Sequence, residues 1–141
     1  MNETYCKIDI DWNKTFELGH VRIDAEHRAF FDIIKSVDLE LRAGHDVMRV
    51  LRLLNELRLY TEFHFVSEEN IMEDAHYPDI ADHRNLHKAL LEELYVLIHD
   101  IQNGVDRFHE LVPFLFDWFC AHTLSVDGKF TAFATALTPR D

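Results

Sequence analysis

Residues 64–87, HFVSEENIMEDAHYPDIADHRNLH, hold two pairs of potential metal ligands four positions apart: His64 with Glu68, and His83 with His87. On a helix of about 3.6 residues per turn, positions four apart differ by only about 40° and stack on one face. Each pair can therefore aim two donor atoms at one point. His27 lies upstream, and the stretch HTLSVD downstream supplies His122 and Asp127. These last two are five apart, about 140° round an ideal α-helix, so both can face one centre only where the helix is distorted or ends. A π-type bulge is one such distortion, and these bulges favour functional sites. Five imidazoles and two carboxylates are more than a single zinc takes. They suit two transition-metal ions bridged by the carboxylates, and the mixed nitrogen and oxygen set suits a pair of irons.

Four helical segments must position these side chains. The first runs from about Asp24 to Ala43, with Asp24 as N-cap, Gly44 as stop, and an inward stripe of Ile23, His27, Phe30, Ile34, Val37 and Leu41. The second runs from about Asp46 to Ala75, capped by Asp46 and broken at Tyr77-Pro78. Its stripe is Val47, Val50, Leu54, Leu57, Thr61, His64, Glu68, Ile71 and Ala75. The third, about Asp79 to Gln102, carries Ile80, His83, His87, Leu90, Leu94, Leu97 and Ile101. The fourth, about 107–128, carries Leu111, Leu115, Trp118, His122 and Ser125 or Val126, and Pro113 should start or kink it.

Short connections make consecutive helices antiparallel, so the expected fold is all-α: an up-down-up-down antiparallel four-helix bundle with a non-helical N-terminal lead-in. It forms one domain over 1–141, with the lead-in at 1–22, the bundle at 23–128 and a tail at 129–141. His27, His64, Glu68, His83, His87 and His122 then occupy positions where leucine would satisfy the pattern. A buried carboxylate or imidazole without a partner costs several kcal/mol. Six of them would together exceed the ~5–15 kcal/mol net stability of a small domain. A bound metal is the compensation the pattern calls for.

Composition sets bounds around this reading. The chain has 141 residues and is 48% hydrophobic, with only four glycines and three prolines, which favours helices. The formal charge is −12 and no Lys/Arg cluster is present, so neither nucleic acid nor an anionic membrane surface is an expected partner. No apolar run approaches the ~18 residues of a membrane span, and residues 1–14 lack a signal core. Cys6 and Cys120 have no metal-ligand spacing, and a reducing, cytoplasmic setting fits them.

Trp12, IDAEHRAFF around His27, HFVSEENIM, the Tyr77-Pro78 turn, HRNLH and DWFCAHTLSVD occur in an order and spacing that resembles the hemerythrin family, in its single-chain bacterial form the bacteriohemerythrins. The resemblance spans residues 12–130. It implies two iron ions with an oxo or hydroxo bridge. His83, His87 and His122 would hold one iron; His27 and His64 would hold the other and leave a position open; Glu68 and Asp127 would bridge them. It implies reversible dioxygen binding at the open position, serving storage, delivery or transport, scavenging, or sensing. An imidazole-rich set stabilises high-valent iron less than a carboxylate-rich one, which agrees with reversible binding over O–O cleavage. Two departures, Phe130 where a tyrosine is common and Pro113 in the fourth helix, touch no ligand.

Phe31 and Thr61, one turn from His27 and His64, are candidates to shape an oxygen pocket. His20, His45, His76, His99 and His109 read as surface histidines, and Trp118 as core. Glu17-x2-His20 and Glu73-x2-His76 resemble the pairs of ferritin-like di-iron proteins, but one lies in the lead-in and the other at a helix end, where chance explains them. Cys120 reads as a packed thiol. The acidic run Glu68, Glu69, Glu73, Asp74 reads as a solvated face with Glu68 the exception. The competing functions are a di-iron enzyme reducing peroxide or nitric oxide at the same site, and a sensory module acting on a protein partner of unknown identity.

Overall fold

The computed structural model describes residue 12 and residues 14–44 and 46–137, so Cys6 and His45 lie outside the described residues. Four long helices form the antiparallel bundle: α1 (Val21–Arg42), α2 (Val47–Asp74), α3 (Ile80–Gln102) and α4 (Phe108–Cys120). The lead-in contains one 3₁₀ turn, Lys14–Phe16. After α4 the chain continues as a π-helical stretch, Ala121–Asp127, and then α5 (Gly128–Leu137). Among the described residues no helix is long and apolar enough to cross a membrane.

The helix ends follow local chemistry. Asp46 caps α2, its Oδ1 accepting from Met48 N at 2.9 Å. Gly44 and Gly104 turn the chain after α1 and α3 with φ of +87° and +85°, a region a β-carbon disfavours. Asp24 is not the cap of α1. Its carboxylate accepts from Leu18 N at 2.8 Å and Gly19 N at 3.0 Å, stapling the lead-in to the helix. His20 takes the N-cap place, its Nδ1 accepting from Ile23 N at 3.3 Å. The expected fourth helix also ends too early at 128. Gly128 has φ −59°, ordinary right-handed helix, so it carries the chain onward instead of stopping it.

The stripes on α1 and on most of α2 are buried as the periodicity requires, although Val47 in the first turn of α2 is exposed. One apolar cluster fills the half of the bundle around Ile34, Val37, Leu41, Val50, Leu54, Leu57, Leu97, Ile101, Leu111 and Leu115. A smaller one at the opposite end joins Ile23, Met72, Tyr77 and Phe130, with α5 supplying Phe130. Between the two clusters lies a layer of buried polar side chains.

Candidate metal centre

That layer draws on three bundle helices and the π-helical stretch that continues the fourth. α1 supplies His27, α2 supplies His64 and Glu68, α3 supplies His83 and His87, and the π-helical stretch supplies His122 and Asp127. In a π-helix the backbone bonds run from i to i+5, so residues five apart come into line. His122 Nε2 and Asp127 Oδ1 accordingly sit 2.9 Å apart. The distortion demanded by the H-x4-D spacing is therefore present.

The seven side chains form two groups that share the carboxylates: Glu68, His83, His87, His122 and Asp127 on one side, and His27, His64, Glu68 and Asp127 on the other. Each carboxylate divides its oxygens between the groups. Glu68 Oε1 lies 2.7 Å from His83 Nε2, 3.1 Å from His87 Nε2 and 3.6 Å from His122 Nε2. Glu68 Oε2 lies 3.3 Å from His64 Nε2 and 3.6 Å from His27 Nε2. Asp127 Oδ1 is 3.1 Å from His83 Nε2, while Oδ2 is 2.9 Å from His27 Nε2.

These atoms fit a metal pair. His27 Nε2, His64 Nε2, Glu68 Oε2 and both Asp127 oxygens are buried without a hydrogen bond, despite their closeness. Their lone pairs converge on common centres instead of on one another. A metal–nitrogen bond of about 2.1 Å puts neighbouring ligands of a six-coordinate ion roughly 3.0 Å apart, the spacing found here. His87 Nε2 and His122 Nε2 approach to 3.1 Å. Two acceptor lone pairs tolerate that distance when a cation or a proton lies between them.

Electrostatics points the same way. Burial and the nearby Glu68 charge raise the pKa of Asp127, but the surrounding imidazoles outweigh them and hold it at about 2. Glu68 is likewise held well below the usual carboxylate range against the effect of burial. Burial lowers His27 and His83, yet the Asp127 and Glu68 carboxylates close beside them lift both to about 9. His87 is pushed down, mainly by burial, to the neutral form a metal requires. Without a cation the carboxylates keep protons on the cluster, and metal uptake must displace them.

Two supporting carboxylates escape the sequence reading. Glu26 is buried; it accepts from His64 Nδ1 at 2.8 Å, from Ser67 Oγ at 2.7 Å and from Arg22 Nε at 3.0 Å. Glu69 accepts from His87 Nδ1 at 2.9 Å and pairs with Arg84 at 3.3 Å, so it does not belong to the solvated acidic face. Such partners fix ring orientation and raise ligand basicity. A signal for Glu26 existed: it lies three residues after Ile23 and four before Phe30, on the flank of the buried stripe. Phe65 adds a further restraint, stacking on His87 with centroids 3.8 Å apart.

On the two-histidine side a small cavity of about 10 Å³ is lined by His27, His64, Phe30, Phe65, Trp118, Phe119, His122 and Thr123. It admits no more than one small molecule, such as water or dioxygen. Phe31 and Thr61 are buried but lie outside this lining. Phe31 packs on Trp12, Phe16 and Phe119, and Thr61 Oγ1 donates to Leu57 O at 2.7 Å. His76, His99 and His109 are exposed, and Cys120 is half-buried.

Residues 18–134 match the family described as the Hemerythrin HHE cation binding domain. Among curated relatives, a bacteriohemerythrin of Clostridium acetobutylicum is 26% identical over 131 residues, covering 84% of this chain and 96% of that one. A bacteriohemerythrin of Ralstonia nicotianae is 29% identical over 133 residues, covering 92% of each. Among solved structures, a hemerythrin variant superposes with a TM-score of 0.79 at 24% identity, covering 88% of this chain and 95% of that one, a likeness of fold.

Proposed function

We infer the function from a premise that the match over residues 18–134 shows: the chain belongs to the hemerythrin family. Its function is reversible dioxygen binding at a non-haem di-iron centre: His83, His87 and His122 would hold one iron, His27 and His64 would hold the other, and Glu68 and Asp127 would serve both. Two iron ions with an oxo or hydroxo bridge would supply the electrons and the open coordination position that this binding needs. The single observation that carries the reading is the division of each carboxylate's two oxygens between a three-histidine and a two-histidine group.

The chain's own residues then account for selectivity. Having one histidine fewer puts the open position on the His27/His64 side, where the small cavity lies. Phe30, Phe65, Trp118 and Phe119 make that cavity apolar, so a neutral diatomic enters at lower desolvation cost than an ion. Apart from the imidazoles, Thr123 is the only residue with a hydroxyl in its lining among the described residues, and no carboxyl, lysine or tyrosine is among them. With no carboxyl, lysine or tyrosine acid among the described lining residues, O–O cleavage lacks a side-chain proton donor, which supports binding over peroxide reduction. Glu26 and Glu69 hold the tautomers of His64 and His87 that leave Nε2 free to ligate.

The test is optical. The ferrous protein should colour in air and bleach under vacuum through repeated cycles, with two irons per chain. Irreversible oxidation at every mixing time, with no oxygenated form, would overturn the reading.

A further inference from the structure

The cluster of candidate ligands borders a surface groove between α3 and α4 through His122. The groove, of about 400 Å³, has Leu90, Phe114 and Trp118 in its lining, and His122 forms part of its wall. His122 is 5% exposed, against 0–3% for the other six cluster residues. Trp118 and His122 also line the inner cavity, so these two side chains stand between groove and site. Glu93 and Asp117, both exposed, lie on the same lining, which contains no lysine or arginine among the described residues. A second groove of about 520 Å³ shares Glu93 and Phe114 with the first. Its one cation, Arg107, is already paired with Asp100 at 2.7 Å and Glu110 at 2.9 Å.

We propose that the α3/α4 groove docks a one-electron donor protein through a basic face, delivering electrons past Trp118 and His122. This rests on the di-iron reading. A ferrous centre exposed to dioxygen drifts to the ferric state, and each ferric ion needs one electron to return. The donor is oxidised by the same single electron, and no covalent bond in the chain forms or breaks. Electron transfer weakens steeply with distance, so a donor gains by lying against a ligand imidazole. Glu93 and Asp117 favour a cationic partner, and the chain's formal charge of −12 steers one toward it. A second copy of the chain brings that same charge and is repelled. An uncharged apolar molecule would leave the acids without counterparts.

Trp118 is one of only two tryptophans, so Trp12→Phe isolates its fluorescence. In the metal-free Trp12→Phe protein at low salt, methyl viologen, a dication, should quench Trp118 several-fold more efficiently than iodide. Glu93→Lys with Asp117→Lys should reverse that order, while Asp32→Lys with Glu56→Lys, on α1 and α2, should keep it. Equal quenching by both ions, or identical behaviour of the two double variants, overturns the proposal. A second measurement keeps Trp12 and the metal. Reduction of the ferric protein by hexaammineruthenium(II) should slow several-fold at low salt in the groove variant, and much less in the α1/α2 variant. Equal slowing overturns the docking site while reversible dioxygen binding survives. A chain that takes up no iron overturns the functional reading, and the quenching experiment still decides whether the groove selects cations.

Discussion

The apolar half of the bundle and its polar layer are both buried, on opposite terms. Around Leu54, Leu57, Leu97, Leu111 and Leu115 every buried side chain contributes by leaving water, about 1.5–3 kcal/mol each. Within two turns beyond Thr61, α2 buries His64 and Glu68, groups that cost free energy unless something charged meets them. The stability of the first region needs no bound partner. The stability of the second depends on what it binds. A single fold can therefore contain a permanent core and a conditional one, and the seven cluster residues mark the boundary.

The largest effect should come from removing the metal. Chelation should lower the thermal midpoint by more than roughly 10 °C, because metal that binds only the folded state adds directly to its stability. Hydrogen exchange should show the loss first at 121–127 and around His64, with α1 and α2 near Ile34 and Leu54 protected longest. Leu54→Ala is the counterpart: a loss of about 2–5 kcal/mol that is the same with and without metal, and no change in metal content. A metal-free protein that melts with the holoprotein would erase the distinction between the regions.

Within the polar layer, Glu68→Ala should exceed any single histidine change. It removes a carboxylate that faces both histidine groups, leaving Asp127 to serve both, so metal content should fall on both sides. His64→Ala or His27→Ala should remove the two-histidine metal and spare the other. Elemental analysis decides: two irons per chain in all three variants would refute the ligand assignment.

Smaller and sharper is the comparison of the two supporting carboxylates. Glu26 is buried and shared among His64, Ser67 and Arg22, whereas the Glu69 side chain is 23% exposed and water can replace part of what it does. Glu26→Gln should weaken metal binding about 10–100-fold, confined to the His64 side, and Glu69→Gln should weaken the other side less. Titration calorimetry on each variant reads the difference. Equal losses would mean that burial of the supporting group is irrelevant.

Much of this was legible in the sequence because burial leaves a periodic trace. The stripe from Ile23 to Leu41 and the pairs His64/Glu68 and His83/His87 need only helical spacing. The H-x4-D spacing even announced its own distortion, since no ideal helix brings His122 and Asp127 together. What escaped depends on relations between elements. Glu26 matters because α2 places His64 beside it, and nothing within α1 states that. Glu69 sits in an acidic run whose other exposed members do face water. The fate of Gly128 is also tertiary: glycine costs a helix about 1 kcal/mol, which burial of Phe130 against Tyr77 outweighs, whereas Gly44 and Gly104 turn the chain because nothing beyond them continues the helix.

The subtlest separation of the two regions is by pH. His27 and His83 have folded pKa values raised to about 9. Their contribution to apoprotein stability is full below their unfolded value near 6.5 and is lost as pH rises through 9. His87, pushed down, opposes them below its unfolded value. Asp127, held at about 2, contributes above its unfolded value near 3.8 and loses its effect only as pH falls through 2. Between pH 6.5 and 9 the apoprotein should therefore weaken while metal affinity strengthens, because the protons that stabilise the empty layer are those the metal must displace. Denaturant unfolding of the apoprotein and metal titrations across that window should slope in opposite directions. Parallel slopes would mean that the protons and the metal do not compete for the same imidazoles. Leu54→Ala should leave both slopes unchanged, since it neither adds nor removes a titratable group.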